Sequence, residues 1–503
     1  MLSWLLKTGS MAQSLGVYLP ATLIQKALGL VRVFLFVMLM EQVAPQYGLW
    51  SAAIMLIFDI GSQLATLGAN HGLTRYASVY EARGELWPFY RRVLAGSAVV
   101  ALAMVAVGIL SAGPIARYIV AGKSDALQMP AEDVYRVTVL ALANALGGAL
   151  YYNLVGLMMG LRVYRLVAVV ELTFSVLLTA IGCSVLLVTP TAAALLGAHL
   201  GALGSTVVIA WIVLHLGLRR QTGGANDDWT ACQTLGALWQ LGRFGLMAMV
   251  GGLAWLAVQR VSLYLVNQNF DKADLGVFGF FLQLSQPVFM LSSAAWVVMF
   301  AHVARQWEQE SQAAATQMLE TVYKAVVLAT MALAVTIYVT APWWSLVVPD
   351  RFRTGLGLLG GLLMFYQCMG NLALVTMLAK LRERPGVIVW VALAGGVANA
   401  LLARWWMPGY GAVGAAWAAG AGMLLGGGAV ATASMMWRGP RLHAGTYLMM
   451  ASPAVLAMPA WAAAAAWAAV LVVAVRTHQV FSAPQKQILL SVWRRVRGQM
   501  PWR

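Results

Sequence analysis

Apolar runs of about twenty residues, closed by short basic or Gly/Pro-containing segments, recur along nearly the whole chain. A hydrocarbon layer ~30 Å thick takes about 20 helical residues. These runs therefore read as membrane spans near 14–40, 48–70, 93–112, 134–159, 167–188 and 193–217, then 244–267, 275–301, 322–341, 355–379, 387–404 and 413–436. The last apolar stretch, 446–475, would be ~45 Å long as one helix, and Pro453 and Pro459 divide it into two short spans. The pattern predicts an all-α polytopic membrane protein of six plus six spans and two C-terminal helices, 14 in all, with twelve and a re-entrant segment as the alternative.

The first half lies over the second with a shift of 228 residues. Arg32 then meets Arg260, Gly48 meets Gly276, Pro114 meets Pro342, and Leu28, Val33, Leu35 and Leu56 meet Leu256, Val261, Leu263 and Leu284. Further on the shift falls to 220, and Leu161-Arg162 meets Leu381-Arg382. Six spans per half keep the orientation of the second copy, so the halves read as two pseudo-symmetric lobes related as parallel repeats. The expected organisation is an N-lobe at 1–218, a cytoplasmic linker at 219–243, a C-lobe at 244–441, spans 13 and 14 at 442–478 and a basic amphipathic tail at 479–503. In that tail Ile488, Val492 and Val496 repeat every four residues among basic neighbours, the pattern of an interfacial helix on anionic lipid.

Composition agrees: 61% of the 503 residues are hydrophobic and 10% charged, with a mean hydropathy of +0.77. The net charge of +16 reflects topology rather than nucleic-acid binding, because the basic residues sit in short loops between spans. With the N-terminus inside, 23 of the 33 Lys and Arg fall on the cytoplasmic side, seven outside and three within spans. An inner-membrane protein with both termini cytoplasmic follows, its first span retained rather than cleaved. The cysteines Cys183, Cys232 and Cys368 are too scattered for a disulfide framework or a metal cluster. Phosphate-binding loops, HExxH and nucleophile triads are absent from the sequence, which argues against an enzyme.

Polar residues inside the spans are the candidates for chemistry. A cation in lipid is costly and faces a cavity or a counter-ion, so Arg32 and Arg260 at equivalent positions suggest a shared anion-handling cavity. Gln25, seven residues before Arg32, shares its helical face, whereas Lys26 lies about 120° away. Asp59, Gln63, Thr66 and Asn70 make a one-sided polar stripe on the second span, and Glu171 begins another with Ser175 and Thr179 on the fifth. Gln283 and Gln286 mark the eighth span, Gln367 and Asn371 the tenth. The substrate-binding candidates are Arg32, Arg260, Gln25, Lys26, Gln63, Asn70 and Gln283; Asp59 and Glu171 are candidates for ion coupling, since desolvated carboxyls can titrate during transport. The competing reading is structural: Arg32 pairs with Asp59 and pins spans one and two, Arg260 has only the distant Asp274 nearby, Lys26 snorkels or pairs with Glu171, and the uncharged groups bond helix to helix. His199, alone on an apolar span, reads as a packed, hydrogen-bonded histidine.

Residues 26–53, KALGLVRVFLFVMLMEQVAPQYGLWSAA, resemble the Wzx-type polysaccharide flippases of the multidrug, oligosaccharidyl-lipid and polysaccharide exporter superfamily, through the Gly-x-x-Arg turn and Tyr47-Gly48-Leu49. Gln259-Arg260 followed by Asp274-Leu275-Gly276-Val277-Phe278 is similar to that family's second-lobe stretch. The lipid II flippases of the superfamily are also similar through Leu28-Gly29-Leu30-Val31-Arg32, although Val33 stands where they commonly have Asp. The resemblance implies two six-helix lobes alternating between inward and outward openings around a central, often cationic, cavity. It further implies a polyprenyl-pyrophosphate-linked oligosaccharide as substrate and drive from a proton or sodium gradient or the membrane potential, without a bound cofactor. Partners would be the bilayer, the lipid-linked glycan, a polysaccharide polymerase and glycosyltransferases. The alternatives are a cation-coupled multidrug exporter, a lipid II flippase, or a scaffold acting through its basic loops and tail.

Overall fold

The computed structural model describes residues 11–122, 130–221, 229–309, 311–344, 346–382, 384, 386–438 and 442–490. The described residues form helices and short connections, with no strand. Eleven helices are long and apolar enough to cross a membrane. The first is Met11–Leu39, followed by Ala44–Thr66, Leu86–Leu110, Ala131–Gly160, Tyr164–Val188, Ala192–Arg220, Ala231–Asn269, Lys272–Trp296, Gln312–Trp343, Asp350–Leu381 and Gly386–Trp437. The last of these contains a sharp bend at Gly411, φ 61°, and so supplies both the eleventh and twelfth spans. Ala444–Ala457 and Ala460–Arg476 are shorter apolar helices, divided near Pro459 as the sequence indicated. The all-α polytopic fold is as expected.

Contacts gather the chain into two units, Met1–Phe280 and Phe281–Arg503. The division falls inside the eighth helix. Residues 219–221 continue the sixth helix and 222–228 lie outside the described residues; Thr230 and Gln233 then form a capping box that starts the seventh helix at Ala231. That helix packs along the first unit, with Leu241 against Gly72 and Leu238 against Gly96.

Two close approaches set the first unit's geometry. The second span ends where Leu67 and Gly68 turn left-handed, φ 44° and 74°, and Ala69–Ala82 continues as a separate helix. Gly68 lies backbone to backbone against Gly245 of the seventh helix. At the other end of the span, Gly48 abuts the Lys272 carbonyl and Gly276, its counterpart in the duplication. Lys272, expected in an outside loop, is 1% exposed. Its ammonium donates to the carbonyls of Val120 and Ala121, at 2.7 and 2.9 Å, and to Asn267 Oδ1, capping the short helical segment 112–120. The apolar core of this unit joins Leu73, Phe89, Leu157, Met158, Val167, Leu214 and Leu241.

In the second unit the tenth helix is almost wholly enclosed. Gln367 donates to Thr330 and to Asn371, both at 2.9 Å, and Asn371 donates to the Met449 carbonyl, so this pair bonds helices together. Lys324 is fully buried and donates to Gln485 Oε1 at 2.9 Å. Glu320 accepts from the Thr446 hydroxyl and the His443 N–H. The helix at 483–490 is thus tied to this unit through Gln485; Val492 and Val496 of the expected interfacial helix lie outside the described residues.

Crowding at Gly48 makes a stability prediction. Gly48→Ala drives a methyl into the Lys272 carbonyl and should cost about 1–3 kcal/mol, lowering the melting temperature of the detergent-purified protein. Gly201→Ala, where a Cβ meets nothing within 4 Å, should cause no loss. Equal melting temperatures for the two variants would rule out the tight crossing.

Candidate functional site

The first unit brings most of the candidate residues onto helices one, two, four, five and seven. The first and fifth helices run parallel along much of their length. Tyr18 meets Tyr164, ring centroids 5.9 Å apart, and Phe36 meets Gly182 near the opposite end. On the first helix Leu23, Ile24 and Val31 are exposed, the face that lipid would contact. Tyr18, Thr22, Gln25, Gly29 and Arg32 follow one another by three or four residues on the opposite side.

Arg32 is held there without a salt bridge among the described residues. Its Nη1 is buried and has no hydrogen-bond partner among them, and the same holds for Gln25 Oε1. Its electrostatic neighbours are Tyr47, Cys183, Lys26 and His199. The guanidinium folds back over Gly29, where a Cβ would lie in ordinary contact, 3.9 Å from Nη2. Two buried polar atoms along one helical face are thus without a partner among the described residues.

Asp59 departs from the sequence expectation. Its partner is Arg260 of the seventh helix, through Asp59 Oδ2 and Arg260 Nη2, and not Arg32 of the first. Chain adjacency favoured Arg32, but the close packing of the seventh helix on the second span and its continuation brings Arg260 to the carboxylate. Asp59 follows a π-helical turn at Ala53–Phe58, a widening of the helix frequent at functional sites. The pair leaves Arg260 Nε and Nη1 buried and without partners among the described residues. Arg260 therefore has a counter-ion and still presents two N–H-bearing atoms.

The remaining candidates fall as follows. Lys26 and Glu171 interact electrostatically between helices one and five, and Glu171 Oε1 accepts from the Tyr18 hydroxyl at 3.4 Å. Gln63 is half-buried, and its carbonyl accepts from Thr66 at 2.8 Å. The expected stripe on the second span breaks at Leu67, because two left-handed residues end the helix; Asn70 stands on the next one, its Oδ1 buried and without a partner among the described residues. Gln283 is half-buried in the second unit. His199 is packed and hydrogen-bonded as expected, 2.7 Å from Asn144 Oδ1 and flanked by the Phe58 and Phe174 rings. Sequence reasoning passed over the tyrosines. Tyr18 continues the Gln25–Arg32 face by helical spacing, a legible signal, whereas Tyr152 of the fourth helix, within electrostatic range of Asp59, Glu171 and Arg260, gave none.

This arrangement is a set of cations and carboxylates walled by aromatic rings, with donors left over on the guanidinium groups. It suits recognition of an anion carrying polar substituents. Among the described residues no three His, Cys, Asp or Glu side chains are grouped to hold a metal.

Removing one partner of a buried ion pair leaves the other charge uncompensated and costs about 3–5 kcal/mol. Asp59→Asn and Arg260→Gln should therefore each destabilise the purified protein, and the double variant should lose less than the sum of the two. Arg32→Gln, which breaks no ion pair, should stay within about 1 kcal/mol of wild type. Thermal denaturation of the four variants checks this; additive losses, or an Arg32 loss as large as that of Asp59, would contradict the assignment.

No known protein family's sequence profile matches the chain, and no curated protein matches it by sequence. Solved structures do match. A lipid II flippase MurJ in an inward closed conformation aligns over 87% of this chain and 91% of its own, with a TM-score of 0.64 at 12% identity. An inward-facing multidrug resistance MATE family transporter of the MOP superfamily aligns over 89% and 99%, TM-score 0.62 at 13% identity. A variant of the Vibrio cholerae MATE transporter VcmN aligns over 86% and 98%, TM-score 0.52 at 16% identity. The chain has the fold shared by the MurJ flippase and the MATE transporters of the MOP superfamily.

Proposed function

We propose that this protein is a Wzx-type flippase that carries a polyprenyl-pyrophosphate-linked oligosaccharide from the cytoplasmic to the outer leaflet of the inner membrane, for assembly of a surface or extracellular polysaccharide. The observation that carries this reading is the set of buried guanidinium atoms on Arg32 and Arg260 with no acceptor among the described residues. Buried donors left unmade are costly, and a pyrophosphate supplies acceptors in the geometry guanidinium groups bind in bidentate fashion. Gln25, Lys26, Gln63 and Asn70 add polar lining. The oligosaccharide crosses within the polar cavity while the polyprenyl tail stays in lipid, and alternation of the two lobes exposes the cavity to each side in turn. Asp59 and Glu171 couple this cycle to a proton or sodium gradient: protonation of Asp59 releases Arg260 from its ion pair and frees the guanidinium for substrate. A polymerase and glycosyltransferases act before and after it at the same membrane.

The MATE-like fold supports a second reading, a cation-coupled multidrug exporter. Against it stands the balance of charge: Lys26, Arg32 and Arg260 outnumber Asp59 and Glu171, and each acid already faces a base. A drug-cation site calls for free acids.

The reading is tested in a deletion strain complemented with wild type, Arg32→Ala or Arg260→Ala. The lipid-linked glycan should accumulate on the cytoplasmic side in the deletion, clear with wild type, and persist with Arg32→Ala present in the membrane at wild-type levels and with Arg260→Ala once its lower membrane level is normalised. An unchanged glycan pool together with drug hypersensitivity of the deletion would replace the flippase reading with the exporter.

A further inference from the structure

The proposed function leaves unexplained the aromatic wall beside the carboxylate of Glu171. Tyr18 on the first helix and Tyr164 on the fifth hold their rings 5.9 Å apart at 56°. Tyr152 on the fourth helix stands within electrostatic range of both Glu171 and the Asp59–Arg260 pair. All three rings are half-buried, as are Lys26 and Glu171, so each keeps an accessible surface. An ionised carboxylate has about four lone-pair sites. Among the described residues Glu171 receives one hydrogen bond, from Tyr18 at 3.4 Å, a long separation for an O–H···O bond. Lys26 faces it electrostatically without a hydrogen bond among the described residues.

We propose that Tyr18, Tyr152, Tyr164, Lys26 and Glu171 form a saccharide subsite that takes the pyranose hydroxyls of the lipid-linked glycan. The chemistry is that of carbohydrate recognition. A carboxylate with unused lone pairs accepts from hydroxyls, an ammonium donates to ring and hydroxyl oxygens, and phenolic rings cover the apolar C–H face of a pyranose while their own hydroxyls stay in the polar network. A bare pyrophosphate has no use for such a wall, and a second carboxylate beside an anion site would weaken it.

Distance fits the same division of labour. Tyr18 and Arg32 are fourteen residues apart on one helix, ~21 Å along its axis at 1.5 Å per residue. Arg32 is thus set apart for the pyrophosphate, and Tyr18 and Tyr164 lie toward the end of the first helix that the loop charges assign to the cytoplasm. The glycan extends from the phosphate toward that side, the side on which it was assembled.

The subsite rests on the flippase reading, and binding measurements separate the two. The purified full-length protein in nanodiscs is titrated with undecaprenyl pyrophosphate carrying no sugar, and with the lipid-linked glycan fraction accumulated by the deletion strain. Tyr18→Ala and Tyr164→Ala should each raise Kd for the glycan-bearing lipid about tenfold, the worth of one or two lost polar contacts, and leave Kd for the bare lipid unchanged. Tyr18→Phe keeps the ring and the packing, so it should melt like wild type and weaken glycan binding less than Tyr18→Ala. Equal loss for both lipids, or no loss for the glycan-bearing one, overturns the subsite while the pyrophosphate site stands. If wild type binds neither lipid, the flippase reading falls, and the subsite falls with it.

Discussion

Much of the first unit turns on how one carboxylate is neutralised. Asp59 lies deep in an apolar span, where an uncompensated charge is costly, and Arg260 meets it from a helix two hundred residues later in the chain. Their pairing ties the seventh helix to the second. The close approaches of Gly68 to Gly245 and of Gly48 to Lys272 and Gly276 bracket the pair at either end and allow the helices near enough for it to form. Small residues do here what they do in membrane helices generally, letting backbones approach where the hydrophobic effect gives no drive.

That pair also separates the two arginines that the duplication makes equivalent. Arg260 carries its counter-ion within the protein, whereas Arg32 sits among Tyr47, Cys183 and His199 with Nη1 unsatisfied by any described residue. Under the proposed function, such a site would hold its substrate's charge with one guanidinium that is always available and one that an acid can release. The parallel run of helices one and five then sets the polar face of Arg32, Gln25 and Tyr18 beside Glu171, so charge recognition and hydroxyl recognition lie along one path. In this account the ion pair governs availability, the lone arginine governs affinity, and the aromatic wall governs which lipid-linked head group is accepted.

Much of the architecture was legible because lipid imposes it. Spans must be apolar for about twenty residues, and the bend at Gly411 and the division at Pro459 appear as interruptions of otherwise continuous runs. Arg32, Gln25 and Asp59 were found because charge and amide groups inside such runs are conspicuous. What could not be read was which helix lies against which. The Asp59 partner was sought on the adjacent span, and long-range packing chose Arg260. Lys272 and Lys324 are each buried against carbonyl or amide acceptors, a fate that depends on neighbours distant in sequence. Tyr152 was overlooked because a tyrosine in an apolar run looks like core until the groups around its ring are known.

The most direct test of the central claim is reconstitution. Purified protein in liposomes containing a lipid-linked glycan is assayed for the rate at which the glycan appears in the opposite leaflet, with Arg32→Gln and Arg260→Gln alongside. The account predicts rapid translocation by wild type and near-background rates for both variants, with Arg32→Gln inactive despite an unaltered melting temperature. Wild-type rates in the Arg32 variant, or no translocation by wild type at all, would contradict it.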